Sequence, residues 1–96
     1  MNVNIQAINF EISERLVSFI NKKAARMSRH FPDTAQIDVK LTVVKPETAM
    51  NKEAVIKCTV PQQPEMVAKK TADSFEEAVD LSLDALDKQM EKIKNK

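Results

Sequence analysis

The sequence predicts a single α+β domain in which two helices cover one face of a four-stranded sheet, in the order β-α-β-β-β-α. Three observations predict it. Hydrophobic residues alternate in some segments and recur at helical spacing in others. Each helical segment begins at a residue that is typical of helix N-caps. The 96 residues are 43% hydrophobic and 30% charged, which is ordinary for one globular domain spanning residues 1–96.

The first strand and the first helix are predicted within the first 31 residues. Val3, Ile5 and Ala7 alternate with polar neighbours, which indicates a half-buried strand. Ser13 can cap a helix because its hydroxyl accepts a backbone N–H, and Pro32 stops the helix. Five hydrophobic residues between these points share one helical face: Leu16, Ile20, Ala24, Met27 and Phe31. We therefore expect a helix over residues 13–30.

Three further strands and a second helix are predicted in the rest of the chain. Hydrophobic and polar residues alternate over residues 37–43 and 54–60, on either side of a polar loop at 46–52, and a weaker strand is expected at 66–70. Ser74 and Glu77 form a capping box, in which each side chain accepts a backbone N–H of the other residue. The second helix is therefore expected over residues 74–94.

The order of these elements constrains their packing. A β-α-β unit forms a right-handed crossover, so the first two strands should be parallel, and the later strands should form antiparallel hairpins. Both helices should cover the hydrophobic face of the sheet. The opposite face, whose residues include Asp38, Lys40, Lys57 and Lys69, carries mixed charge.

Charge is sorted by segment, although the net charge is only +1. The first helix has five cations and no acid between residues 15 and 29: Arg15, Lys22, Lys23, Arg26 and Arg29. Four of them fall within an arc of about 60° at 100° per residue, with Lys23 at the border of the hydrophobic face. The like-charged pair Lys22 and Arg26 costs roughly 0.2–0.5 kcal/mol of helix stability. Such clustering favours a surface for a polyanion over a merely solvated face.

The last helix carries two separate stripes of charge. The acidic stripe contains Asp80, Asp84, Asp87 and Glu91, and the basic residues are Lys88, Lys92, Lys94 and Lys96. The helix dipole favours acids at the start and bases at the end, but it does not explain why the two signs occupy different faces. We expect the cations of both helices to form one continuous basic face that binds RNA.

Several classes of function find no support in the sequence. Glycine is absent, which excludes the glycine-rich phosphate loops of nucleotide-binding proteins. Cys58 is in phase with core residues, and His30, the only histidine, is assigned to a cap or packing role. We expect no catalytic residues, metal ligands, cofactor or small-molecule substrate. No signal peptide or membrane span is indicated, so a cytoplasmic protein is expected.

The opening residues 5–16, Ile-Gln-Ala-Ile-Asn-Phe-Glu-Ile-Ser-Glu-Arg-Leu, resemble the Ile-x-Gly-x-Asn-x-Glu-Ile-Thr-x-x-Leu start of bacterial ribosome hibernation factors. That family includes the hibernation promoting factor and protein Y proteins, once called sigma-54 modulation proteins. Lys23, Arg26, Met27, His30 and Phe31 resemble its Lys-x-x-Lys-Leu-x-x-Tyr-Phe pattern. The run from Ala78 to Lys96 resembles its closing Ala-Ile-Asp…Asp-x-Leu-x-Arg-Gln-Leu-x-Lys-x-Lys segment, so the resemblance covers nearly the whole chain.

The resemblance implies a fold similar to double-stranded-RNA-binding domains and a function in translation. It implies binding to the small ribosomal subunit and its ribosomal RNA, in the channel used by messenger and transfer RNA, with reversible inhibition of translation. Six residues match basic positions of the family: Lys23, Arg26, Lys88, Lys92, Lys94 and Lys96. Lys22 and Arg29 depend on the helical spacing alone. Lys69 and Lys70 occupy positions that are often acidic in the family, and they extend the expected basic surface.

Two other interpretations remain open. The chain could be a free-standing domain that binds structured RNA, or a protein-interaction module that uses the acidic stripe of the last helix. The chain ends at Lys96, so the resemblance is to the short form of the family, and a monomer is expected in isolation.

Overall fold

The computed structural model describes residues 2–44 and 50–94, and it confirms the predicted order of elements. The elements are β1 (Asn2–Ile8), α1 (Glu14–His30), β2 (Gln36–Val43), β3 (Lys52–Thr59), β4 (Met66–Ala72) and α2 (Phe75–Lys94). β3 begins at Lys52, which the sequence assigned to the preceding loop, and residues 46–49 of that loop lie outside the described residues. β4 extends to Ala72, two residues beyond the predicted strand.

The sheet has the strand order β1-β2-β3-β4. β1 pairs with β2 in parallel, with Ile5 opposite Val39, as expected of strands joined by a helical crossover. β2 pairs with β3 and β3 with β4 in antiparallel register, with Ile56 opposite Val39 on one side and Ala68 on the other. Because two antiparallel steps separate β2 from β4, strands β1, β2 and β4 run in the same direction.

Both helices pack on one face of the sheet, as predicted. One cluster of buried side chains combines residues of α1, the three strands β2–β4 and α2. Its fully buried members include Ile20 of α1, Ile37 and Leu41 of β2, Ile56 of β3, and Leu86 of α2. Cys58 is also in this core, with its Sγ 3.7 Å from Sδ of Met90, and burial raises the pKa of its thiol.

Each helix starts at the serine that the sequence identified. The N–H of Leu16 donates to Oγ of Ser13 at 3.1 Å, and the N–H of Glu77 donates to Oγ of Ser74 at 3.2 Å. These bonds satisfy backbone donors that have no partner inside the helix. Neither helix, over the part of the chain described, is long and apolar enough to cross a membrane.

The open face of the sheet carries charges of both signs, and several of them are paired. Nζ of Lys57 lies 3.7 Å from Oε1 of Glu65, and Nζ of Lys69 lies 3.6 Å from Oε2 of Glu53. Pairing of this kind balances charge locally, so this face lacks the uncompensated positive charge of α1.

Asp38 on this open face links two strands through its carboxylate. Nε2 of Gln36 donates to both carboxylate oxygens, at 2.8 and 3.0 Å, and Nδ2 of Asn4 in β1 donates to Oδ1 at 3.0 Å. Hydrogen bonds to the charged form favour that form, so the amide of Gln36, followed by that of Asn4, lowers the pKa of Asp38. The contribution of Asp38 to stability is therefore present above the unfolded-state pKa and lost as the pH falls through the lower folded-state value.

Replacing Gln36 with alanine should raise the pKa of Asp38 toward its ordinary value of 3.8, because the largest stabilising contact with the carboxylate is removed. Titration of the Asp38 carboxyl carbon by NMR measures the shift. Gln6→Ala, an exposed change on β1 that leaves Asp38 and its partners in place, should leave the titration unchanged. An unaltered pKa in the Gln36 variant would contradict this account of Asp38.

Candidate nucleic-acid interface

The basic flank of α1 consists of Arg15, Lys22, Lys23, Arg26 and Arg29. The hydrophobic residues of α1 that lie between these cations face the sheet, which leaves the flank at the surface. Arg15, Lys22, Arg26 and Arg29 are exposed, and none of these four side chains pairs with a carboxylate among residues 2–44 and 50–94. Four cations without local neutralisation attract anions from solution.

Lys23 differs from the other cations of the flank. Its Nζ lies 2.9 Å from Oδ1 of Asp80 on α2 and 5.4 Å from the centre of the Phe19 ring. Its side chain is 29% exposed, whereas that of Asp80 is 56% exposed. The helical spacing predicted that Lys23 lies at the border of the hydrophobic face of α1. In the structure this position places the Lys23 ammonium between the two helices. An anion that binds Lys23 has to compete with Asp80.

His30 lies at the last turn of α1, between two carboxylates of α2. Its Nδ1 is 3.3 Å from Oδ1 of Asp87, and its Nε2 is 3.4 Å from Oε1 of Glu91. The imidazole also stacks on Phe31, with ring centres 4.4 Å apart. The stacking agrees with the packing role assigned to His30, and the two carboxylate contacts add a connection between the helices.

These contacts show how the helices are arranged. Lys23 contacts Asp80 early in α2, and His30 contacts Asp87 and Glu91, about two and three turns later, so α1 and α2 run parallel. The acidic stripe of α2 (Asp80, Asp84, Asp87 and Glu91) therefore faces the basic flank of α1. The prediction of one continuous basic face is wrong, because the acidic stripe separates the cations of α1 from Lys88 and Lys92 of α2.

Lys88 and Lys92 of α2 lie on the far side of the acidic stripe from α1. Lys88 is exposed and pairs with Asp84 at 3.5 Å, one helical turn earlier, and Lys92 is exposed. Exposed pairs of this kind contribute at most about 1 kcal/mol, so Lys88 can exchange its partner at little cost. Lys94 is the last residue of α2, and Lys96 lies outside the described residues.

Sequence reasoning found the cations but missed the contacts between the helices. The helical spacing identifies the basic flank and the acidic stripe, yet it cannot tell which sides of two helices meet. One signal was present: a helix flank without a single acid suggests that neutralising charge comes from another element, and the acidic stripe is the obvious source.

The comparisons with known proteins agree with the fold. The family model described as sigma 54 modulation protein / S30EA ribosomal protein matches residues 3–96. A ribosome hibernation promoting factor from Azotobacter vinelandii is 30% identical over 96 residues, which cover 100% of this chain and 85% of that protein.

Two solved structures share the architecture. A ribosomal subunit interface protein from Coxiella burnetii has a TM-score of 0.87 at 22% identity, with 100% of both chains covered. The N-terminal domain of protein Y from Thermus thermophilus has a TM-score of 0.80 at 21% identity, covering 97% of this chain and 99% of that one. The resemblance seen in the sequence is thereby confirmed, and the chain belongs to the sigma 54 modulation protein / S30EA ribosomal protein family.

Proposed function

We propose that this protein binds the small ribosomal subunit and inhibits translation by occupying the channel used by messenger and transfer RNA. The observation that carries the proposal is a group of four exposed cations on α1 that pair with no carboxylate in the part of the chain that the structure describes: Arg15, Lys22, Arg26 and Arg29. The names of the relatives point to the same partner, since one is a ribosome hibernation promoting factor and another a ribosomal subunit interface protein.

Phosphates of ribosomal RNA are the proposed ligands of these cations. Lysine and arginine side chains that bind phosphates release condensed counterions from the RNA, and this release drives association at moderate salt. Lys88 and Lys92 on α2 form a second contact region beside the acidic stripe. The stripe itself repels phosphate, so the two basic regions contact separate segments of RNA.

Inhibition follows from occupancy and requires no chemical step. The folded domain measures 44 × 23 × 17 Å along its principal axes. A body of that size, held at both helices, excludes other RNAs from the space it fills. The acidic stripe is less suited to a separate protein partner, because Asp80, Asp87 and Glu91 already contact α1.

The test is binding of the purified, untagged protein to isolated small and large ribosomal subunits, measured by co-sedimentation over a salt series. We expect the protein to pellet with the small subunit and to be displaced by excess transfer RNA together with messenger RNA. If about six phosphates are contacted, the logarithm of the affinity should fall with the logarithm of salt concentration with a slope of roughly −4 to −5.

Two outcomes would contradict the proposal. Equal binding to both subunits and to an unrelated structured RNA would indicate a general RNA-binding domain. Binding that does not depend on salt would indicate a mainly apolar protein partner.

A further inference from the structure

We propose that His30, Asp87 and Glu91 form a binding site for a divalent transition-metal ion, with Zn²⁺ as the favoured ion, at the point where the ends of α1 and α2 meet. Potential metal ligands in proteins include histidine, cysteine, aspartate and glutamate side chains. In the part of the chain that the structure describes, this is the one group of three of these side chains in which one ligand atom of each residue lies within 4.8 Å of the others. The proposal concerns the free protein and does not depend on ribosome binding.

The backbone brings the three ligands together in a defined way. Asp87 and Glu91 are four residues apart on α2, so their side chains lie on the same side of the helix, one turn apart. His30 is the last residue of α1, and its ring is oriented by stacking on Phe31, which is buried. A histidine ligand that is held by its neighbours loses little conformational freedom when it binds a metal.

The distances suit a zinc ion. Zinc binds imidazole nitrogen and carboxylate oxygen at about 2.0–2.2 Å, so neighbouring ligand atoms in a tetrahedral shell lie about 3.3 Å apart. One ligand atom of each of the three residues lies within 4.8 Å of the others. Asp87 is 3.3 Å from one ring nitrogen of His30, and Glu91 is 3.4 Å from the other. Only one ring nitrogen can coordinate the ion, so binding requires one carboxylate to turn toward that nitrogen. All three side chains are at least 39% exposed and have room to make that adjustment.

The local charge also favours a cation. The negative end of the α1 dipole lies at His30, and two carboxylates face it. Beside the site is a hollow of about 270 Å³ whose lining includes Asp84 and Asp87, and also Lys23 and Arg26. Lys23 is neutralised by Asp80, which leaves Arg26 as the one unpaired cation that opposes a metal ion among the residues lining the hollow. A zinc ion held by three side chains keeps a fourth coordination position, which a water molecule can occupy.

The sequence alone indicated no metal site, because the spacing of ligands along the chain is uninformative when they come from two helices. An i, i+4 pair of carboxylates is common on solvated helices. Only the parallel packing of α1 and α2 adds the histidine nitrogen, which binds zinc more strongly than a further carboxylate does.

The first experiment is titration of the untagged protein with ZnCl₂ at neutral pH, followed by calorimetry and by NMR. Since His30 is the only histidine, its ring signals are unambiguous. We expect one equivalent of Zn²⁺ to bind and to shift those signals. Acidification should release the ion, because a protonated imidazole cannot coordinate it. Ring signals that do not move at several equivalents of Zn²⁺ would overturn the proposal without the use of any variant.

The second experiment uses matched variants. His30→Ala and Asp87→Asn should each weaken Zn²⁺ binding by more than about tenfold, since each removes one ligand.

The control is Asp84→Asn, which removes the same charge from the same acidic stripe outside the proposed ligand set. We expect it to weaken binding by less than about threefold, because it alters only the long-range attraction. If Asp84→Asn weakens binding as much as Asp87→Asn does, the ion is held by general charge and the site is wrong. His30 and Asp84 are exposed and Asp87 is half-buried, and a thermal melt verifies that each variant is folded.

Discussion

Replacing both Lys22 and Arg26 with alanine should lower the affinity for the small ribosomal subunit by roughly 25- to 60-fold at about 0.1 M salt. Each lost phosphate contact removes about 0.7–0.9 from the slope of log affinity against log salt concentration, so two contacts account for this factor. The folded state should be unaffected, because both side chains are exposed, have no ion-pair partner among the described residues, and lose their mutual repulsion on the helix. Co-sedimentation over a salt series measures affinity and slope together.

The matched control removes two cations from the other side of the molecule. Lys57→Ala together with Lys69→Ala changes the net charge by the same amount, but these residues lie on the open face of the sheet and pair with Glu65 and Glu53. We expect at most a small loss of affinity, from the general electrostatic field. Equal losses in both double variants would mean that net charge alone drives binding, and α1 would no longer be a defined interface.

Replacing Leu86 with alanine should destabilise the domain by about 2–5 kcal/mol, because the substitution leaves a cavity in a fully buried position. Leu86 belongs to the cluster that joins α2 to α1 and the sheet. For a domain of this size, each kcal/mol lowers the melting temperature by roughly 4–8 °C, so the variant should melt at least about 8 °C lower. Thermal unfolding followed by circular dichroism measures this change.

Leu81→Ala provides a control on the same helix and with the same chemical change. Leu81 is 43% exposed, so its truncation removes little contact with the core and should change stability by no more than about 0.5 kcal/mol. Similar effects of the two substitutions would contradict the assignment of the buried face of α2.

Local patterns were sufficient to predict the fold. The two hydrophobic periods distinguished strands from helices, and Ser13 and Ser74 marked where the helices begin to within one residue. The boundaries of β3 and β4 were less accurate, because Lys52, Thr71 and Ala72 join the sheet through backbone pairing with the neighbouring strand. Pairing of that kind depends on a distant segment and leaves no trace in the local sequence.

The candidate site was predictable only in part. The helical spacing by itself determined that α1 has a flank of cations and that α2 keeps its acids and bases on separate sides, because side-chain positions around a helix follow from its 3.6-residue period. Which sides meet was decided by tertiary packing. The hydrophobic faces of both helices pack on the same face of the sheet, and the two helices run parallel. This arrangement places Asp80 next to Lys23 and two carboxylates next to His30. Those contacts separate the cations of α1 from Lys88 and Lys92 of α2. The sequence could not predict this separation, because the period of one helix holds no information about the rotation of the next.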